Sequence, residues 1–563
     1  MYSRMAMTAH DQCTGVEYRP NKSSLRGVVM TQSHVMIFTA CSFLLTTTTW
    51  KDRTCFHRYC RAPTPSPSAF MAPSGVALHD KLPPELLVEI FSLCVDVDTT
   101  RYTSLPLAAD DSWWTVLHTC SAWRATVLES MPELWANVSL VFADEQSLAS
   151  LETTCEVYST WLRYADSTAT LAIQASCSRA LANTLFDTSR IVDLAPLAQT
   201  VILPNASRFR KLDLSLPTET FLPIFTAPPT TFPQLEEAYL RAVLLWADYE
   251  EANSQGRPLQ WPGDISAFCD SQTLRTIHFL IDIPPIDNVV EKLGSGIVQE
   301  SITQLTDQEA AADADGPTGS PVLLLPWRTL RALKLSDSPR PWGFWYEALA
   351  QCRQLEHLDI SVYHPGPGSE SESEAQTTGT SKPIIELEYL TELQLAANGT
   401  AGVVLLSYLR APALKALGLR GQFPIASVFS LHSRSDKLLA LNTFLITFHI
   451  STSDAYAIFS AFPGLSTFGI FLASTEHFPD ELWSGLTTGR LLPKLTELLI
   501  SPRRAQIPAL VRAMSQFWDS DRAESLEVIF HVLLPEDKEA MEEDLQPVDR
   551  FYQFGKKVTW LSY

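Results

Sequence analysis

The residues best suited to chemistry in this chain are its cysteines and histidines, and their spacing offers little to build on. Ten cysteines fall at positions 13, 41, 55, 60, 94, 120, 155, 177, 269 and 352. The tightest group, Cys55-Phe56-His57-Arg58-Tyr59-Cys60, has the ligand types of half a zinc site. No second half with CxxC or HxxxH spacing comes after it, so no metal is expected. Other cysteines sit in apolar contexts such as Ser92-Leu93-Cys94-Val95, the pattern of reduced thiols packed as small hydrophobes. Scattered thiols of this kind fit a cytoplasmic or nuclear compartment. The twelve histidines stand singly, among them His278, His357, His449 and His531. His278 and His357 lie in or beside strand-like stretches, where a surface imidazole is expected rather than a general base. No GxSxG elbow, phosphate-binding glycine loop, HExxH or GxGxxG sequence occurs. The chain therefore reads as a non-enzyme without a cofactor.

Without catalysis, the elements must serve recognition, and composition bounds what they could recognise. The chain has 563 residues, too many for one compact core unless the core grows by stacking repeats. Apolar residues make up 46%, enough to bury a large interior. The 63 carboxylates outnumber 42 Lys plus Arg for a net charge of −21, the wrong sign for a phosphate-binding surface, so nucleic acid is not an expected partner. Residues 35–45 (VMIFTACSFLL) form an apolar run far short of the roughly 20 residues a membrane helix needs. No membrane association is expected, and residues 1–70 read as a disordered leader ahead of Met71.

Residues 82–94 (LPPELLVEIFSLC) have the pattern of an amphipathic helix. Pro84 suits the first turn, and Glu85 complements the positive end of the helix dipole. Leu86, Leu87, Ile90, Phe91 and Cys94 make one apolar stripe. After a polar interruption at 96–110, Trp113, Val116, Leu117, Cys120, Trp123 and Val127 give a second periodic stretch, in which Ser121 can cap a break. Residues 131–135 (MPELW) end this unit, and 138–142 read as a strand. Three short helices carry more apolar stripe than they can bury among themselves.

These three blocks, LPPELLVEIFSLC, LHTCSAWRATVL and MPELWANVSL, resemble the F-box of fungal F-box proteins, particularly the mushroom type. That type runs LPPEL-x-x-EIF, then V-C-x-x-WR, then P-x-LW. The likeness covers residues 82–140, and the insert at 96–110 departs from it by lengthening the motif. The resemblance implies that Leu82, Pro83, Leu86, Leu87, Ile90, Phe91, Leu117, Cys120 and Trp123 build an adaptor-binding surface or its support. The adaptor would be a Skp-type protein tied to a cullin, making the chain a substrate-recognition subunit of an SCF-type ubiquitin ligase with an unknown protein target. The alternative is a repeat-based interaction scaffold with no role in ubiquitin transfer.

Beyond residue 200 an apolar-x-x-apolar-x-apolar pattern recurs. Its copies begin at Phe209, Leu235, Leu274, Leu330, Leu355, Leu390, Leu414, Leu441, Leu465 and Leu495, with a weaker one at Leu526. The shortest gaps between them, 24 to 27 residues, match the period of leucine-rich repeats. Each unit is expected to supply a short strand and a return segment; 342–349, 403–409, 455–462 and 507–517 read as helical returns. The pattern resembles irregular leucine-rich repeats, although the Asn or Cys after the strand is mostly missing. The fold class expected is α/β: a short helical F-box followed by a solenoid with parallel strands on the concave face and helices on the convex face. The expected layout is 71–144 F-box, 145–200 helical linker, 201–534 solenoid and 535–563 tail or cap. Acidic disordered inserts are expected near 299–320 and 365–383. Residues beside the strand apolars, such as Lys211, Glu236, Glu237, Arg275, His278, Arg331, Lys334, Glu356, His357, Glu392, Lys415 and Arg420, are expected on the concave face; they carry mixed signs and spell no ligand, so the substrate-binding residues stay unknown.

Overall fold

The computed structural model describes residues 82–94, 103–104, 116–117, 119–165, 169–188, 194–243, 264–282, 323–363, 382–397, 400–447, 450–471, 480–501, 527–532 and 558–562. The chain divides into two units, Met1–Ala77 and Leu78–Tyr563, and every described residue belongs to the second. The Cys55–Cys60 cluster, the 35–45 run, the 299–320 insert, the 507–517 return segment and nearly all of the 365–383 insert lie outside the described residues.

Among the described residues, fifteen strands form one parallel sheet whose spatial order follows chain order. They are β1 (Thr103–Ser104), β2 (Asn137–Phe142), β3 (Leu171–Cys177), β4 (Phe209–Pro217), β5 (Glu237–Val243), β6 (Thr276–Asp282), β7 (Ala332–Pro341) and β8 (His357–Tyr363). After the short β9 (Ile385–Glu386) come β10 (Glu392–Ala397), β11 (Leu409–Arg410), β12 (Ala416–Gly421), β13 (Thr443–Ile446), β14 (Thr467–Phe471), β15 (Glu497–Ser501), β16 (Glu527–Val532) and β17 (Val558–Ser562). β9 and β11 pair with each other in a separate two-stranded sheet. The longer helices among the described residues are α1 (Pro84–Cys94), α2 (Ser121–Ser130), α3 (Leu151–Tyr164), α4 (Arg179–Thr188), α5 (Trp342–Leu349), α6 (Ala401–Tyr408), α7 (Ile425–Arg434), α8 (Thr452–Ala461) and α9 (Asp480–Thr487).

The recurring pattern explains this order. The middle apolar residue of each copy stacks in register on the next: Leu212, Ala238, Ile277, Leu333, Leu358, Leu393, Leu417, Phe444, Phe468 and Leu498. All ten are at most 2% exposed. Because side chains alternate along a strand, this places every second residue on the opposite, less buried face. The first apolar residue of each copy, Leu235 through Leu495, is buried just before its strand. The residue after it joins a backbone ladder: Glu356 donates to the Arg331 carbonyl at 2.7 Å, Thr391 to Glu356 at 2.8 Å, and Lys415 to Thr391 at 2.8 Å. That ladder fixes the register, since a one-residue slip would turn every apolar side chain to the wrong face.

The sheet begins earlier than the layout expected from sequence. The 145–200 segment is not wholly helical: Leu171–Cys177 is a strand whose alternate residues Leu171, Ile173 and Ala175 are fully buried. Ala175, expected in a helix, lies in that strand. The reason is the period-two alternation of Leu-Ala-Ile-Gln-Ala-Ser-Cys, which competes with its helix-forming alanines and wins once β2 and β4 flank it. At the other end, β17 continues the sheet from within the expected tail. No helix among the described residues is long and apolar enough to cross a membrane.

Candidate protein-interaction site

Two surfaces carry the residues singled out by the sequence. The first is the helical pair α1 and α2. Pro83 starts α1, its carbonyl accepting from the amides of Leu86 and Leu87 at 3.0 and 3.2 Å. Glu85 lies in the first turn. α2 is capped by Cys120 rather than Ser121: its Sγ accepts from the Trp123 amide at 3.5 Å, and Ser121 is the first helical residue. A thiol reaches that amide as a hydroxyl would, but accepts more weakly.

The apolar stripe of α1 divides into two halves. Leu87 (5% exposed) and Phe91 (1%) point into the chain's own interior with Val116, Val127, Met131 and Trp135. The Phe91 and Trp123 rings lie tilted with centroids 4.8 Å apart, and Trp135 packs edge-on against Trp161 at 4.4 Å. On the outside, Leu86 is 44% exposed and Pro83 is exposed. Leu82, Ile90, Leu117 and Trp123 are half-buried, and Cys120 likewise. Arg124 Nε donates to the Leu117 carbonyl at 2.9 Å, tying the start of the second helical stretch to its body. The nine residues therefore sort into an inward pair that holds the unit together and an outward group that leaves part of its apolar surface open.

The second surface is the less buried face of the sheet. Its central row runs in register from Gln174 through Asp213, Tyr239, His278, Lys334, Asp359 and Gln394 to Gly418. Gln174 Nε2 donates to Asp213 at 3.4 Å, Lys211 Nζ lies 5.0 Å over the Tyr239 ring, and Tyr239 meets His278 edge-on at 4.7 Å. Ion pairs link neighbouring strands at Lys211–Glu237 (3.2 Å) and Lys334–Asp359 (3.2 Å), and His357 Nδ1 lies 3.3 Å from a Glu392 carboxylate oxygen. In the ladder alongside, Arg210 pairs with Glu236 at 2.9 Å and Arg331 with Glu356 at 3.3 Å.

Half-burial sets the protonation of this row. Burial, then the nearby Lys334 charge, pushes His278 down to about 4, with His357 adding to the shift and Glu237 opposing it. Burial raises Asp213, opposed by Lys211 and Arg241, and raises Asp359, opposed chiefly by Lys334. His278 is therefore neutral near pH 7, with its ring edge-on to Tyr239. Sequence reasoning picked out His278, His357 and Lys334 but missed Tyr239, Asp359 and Gln394; their alternation with the strand apolars was the available signal.

The buried thiols offer no nucleophile, since burial lifts Cys177 and Cys352 to about 12. Among the described residues, no three of His, Cys, Asp or Glu converge to hold a metal. His449 and the His531 side chain lie outside the described residues. No known family model matches the chain, and no curated protein matches it.

Proposed function

We propose that this chain is the substrate-recognition subunit of an SCF-type ubiquitin ligase. In this reading α1 and α2 form an F-box that binds a Skp-type adaptor and, through it, a cullin. The strands from β4 onward form an irregular leucine-rich-repeat solenoid whose less buried face binds a protein target. The observation that supports it most is the split of the α1 stripe: Leu87 and Phe91 anchor the helix, while Leu86, Ile90 and Trp123 keep apolar surface available. The work is geometric, bringing a target lysine near a charged conjugating enzyme and raising its effective concentration. The expected compartment is cytoplasmic or nuclear.

Co-purification with a Skp-type adaptor tests the proposal. Wild type is expected to retain the adaptor and the Ile90→Asp, Trp123→Ala double variant to lose it; a folded wild type that retains none sinks the idea.

A scaffold without a role in ubiquitin transfer is the second reading, favoured by the burial of Leu87 and Phe91, which withdraws part of the stripe from any adaptor. The same co-purification separates the two. A chain lacking residues 82–135 should still capture the target in either case.

A further inference from the structure

Away from both surfaces, one lysine is held by aromatic rings. Lys382 Nζ sits 4.6 Å from the ring centroid of Trp342 and 4.6 Å from that of Tyr346. Trp342 and Tyr346 are four residues apart in α5, so they project side by side from one helical face. Tyr408, the last residue of α6, buttresses both rings from beside the lysine: its ring is parallel to Trp342 (9°, centroids 6.1 Å apart) and edge-on to Tyr346 at 5.4 Å. Lys382 forms no ion pair with a carboxylate among the described residues, so its charge rests on ring faces. It is also the only Lys or Arg between Arg353 and Arg410.

The backbone that delivers Lys382 is independently fixed. Tyr346 Oη donates to the Pro383 carbonyl at 2.9 Å. Just downstream, β9 pairs with β11, Ile385 against Leu409 and Glu386 against Arg410, and the Arg410 and Glu386 side chains form an ion pair. The segment would stay in place without the lysine side chain. Trp342 and Tyr408 are half-buried and Tyr346 is 8% exposed, so withdrawing that side chain opens the ring faces to solvent.

We propose that Trp342 and Tyr346, buttressed by Tyr408, form a binding site for a methylated ammonium group, which Lys382 occupies in cis when no ligand is bound. A cation over several ring faces is attracted by their quadrupoles, and quaternary ammonium ions suit such cages. A primary ammonium is a compact, strongly hydrated charge. A methylated one surrenders less hydration on entering and displaces it. The ligand is a trimethylammonium group, borne either by a methylated lysine of a protein or by a small free amine. The net charge of −21 favours a basic carrier of either kind.

Calorimetric titration of the full chain tests this with tetramethylammonium, choline and a short arginine-flanked trimethyl-lysine peptide as probes. Lys382→Ala, and Lys382→Gln as a second vacated form, should bind tetramethylammonium about tenfold more tightly than wild type. Adding Tyr408→Leu or Trp342→Leu to the vacated form should abolish that gain. A peptide bound more tightly than choline identifies a protein source, and the reverse order a small amine; either supports the site. If folded Lys382→Ala and Lys382→Gln chains bind no probe more tightly than wild type, or keep the gain without Trp342 and Tyr408, the assignment is overturned. None of these residues lies on the adaptor-facing helices, so failure here leaves the ligase proposal standing.

Discussion

The Trp123 indole leans on the Phe91 ring at 4.8 Å and 57°, so one aromatic contact joins α1 to α2 and marks the boundary between the buried and open halves of the helical pair. Phe91 is 1% exposed and Leu86 is 44% exposed, although they are only five residues apart. Phe91→Ala removes a buried ring and should cost about 3–5 kcal/mol. Leu86→Asp alters an exposed position and should change stability by about 0.5 kcal/mol or less. Urea unfolding checks both values, and adaptor co-purification should nevertheless be lost in Leu86→Asp. An adaptor that tolerates Leu86→Asp in a folded chain argues against this surface.

The sheet likewise divides a buried row from a more exposed one. Leu358 is 1% exposed in the stacked inner row, and Leu358→Ala should cost about 2–5 kcal/mol. Its neighbour Asp359 pairs with Lys334 on the opposite face, where the side chains keep 25% and 39% exposure. Lys334→Ala should cost about 1 kcal/mol or less, as partly exposed ion pairs do. Denaturation midpoints of the two variants should therefore differ clearly, while loss of target capture should accompany the Lys334 change.

Two glycines of β12 should respond differently to alanine. At Gly421 the backbone adopts φ +103°, and a Cβ would stand 1.9 Å from the Ala397 carbonyl oxygen, which belongs to the neighbouring backbone. Gly421→Ala should destabilise by about 1–3 kcal/mol from backbone strain alone, more with the clash. At Gly418 a Cβ would meet the end of the Gln394 side chain, 1.7 Å from Oε1, which can swing away. Gly418→Ala should thus leave the melting temperature nearly unchanged while displacing Gln394, a difference visible by amide NMR.

Stability should depend on His278 in acid. Its folded value is depressed from 6.5 to about 4. Above pH 6.5 the imidazole is neutral in both states and contributes no pH dependence. Between pH 6.5 and about 4 the unfolded chain takes up a proton that the folded chain refuses, so stability falls as pH falls; below about 4 the effect levels off. His278→Gln should flatten this part of the stability–pH curve measured by urea unfolding. A variant with the same slope as wild type removes His278 as its source.

Local sequence alone sets the positions of β4 to β8, β10 and β12 to β16, because each buried triplet such as Leu355-Leu358-Ile360 is a short-range signal that burial rewards directly; it leaves out β9, β11 and β17. It also sets the α1 stripe and the returns α5, α6 and α8, whose helical periodicity is equally local. It misplaces Ala175, since a short alanine-rich run satisfies both periods and only flanking strands β2 and β4 settle the choice. The division of the α1 stripe is likewise beyond it: Leu86 and Leu87 are adjacent and chemically identical, and only the packed interior that includes Val127 and Trp135 decides which one is buried. The grouping of Lys382 with Trp342 and Tyr346, and of those rings with Tyr408, spans 66 positions from Trp342 to Tyr408. No local pattern encodes such a meeting; it exists because α5 and α6 pack against each other.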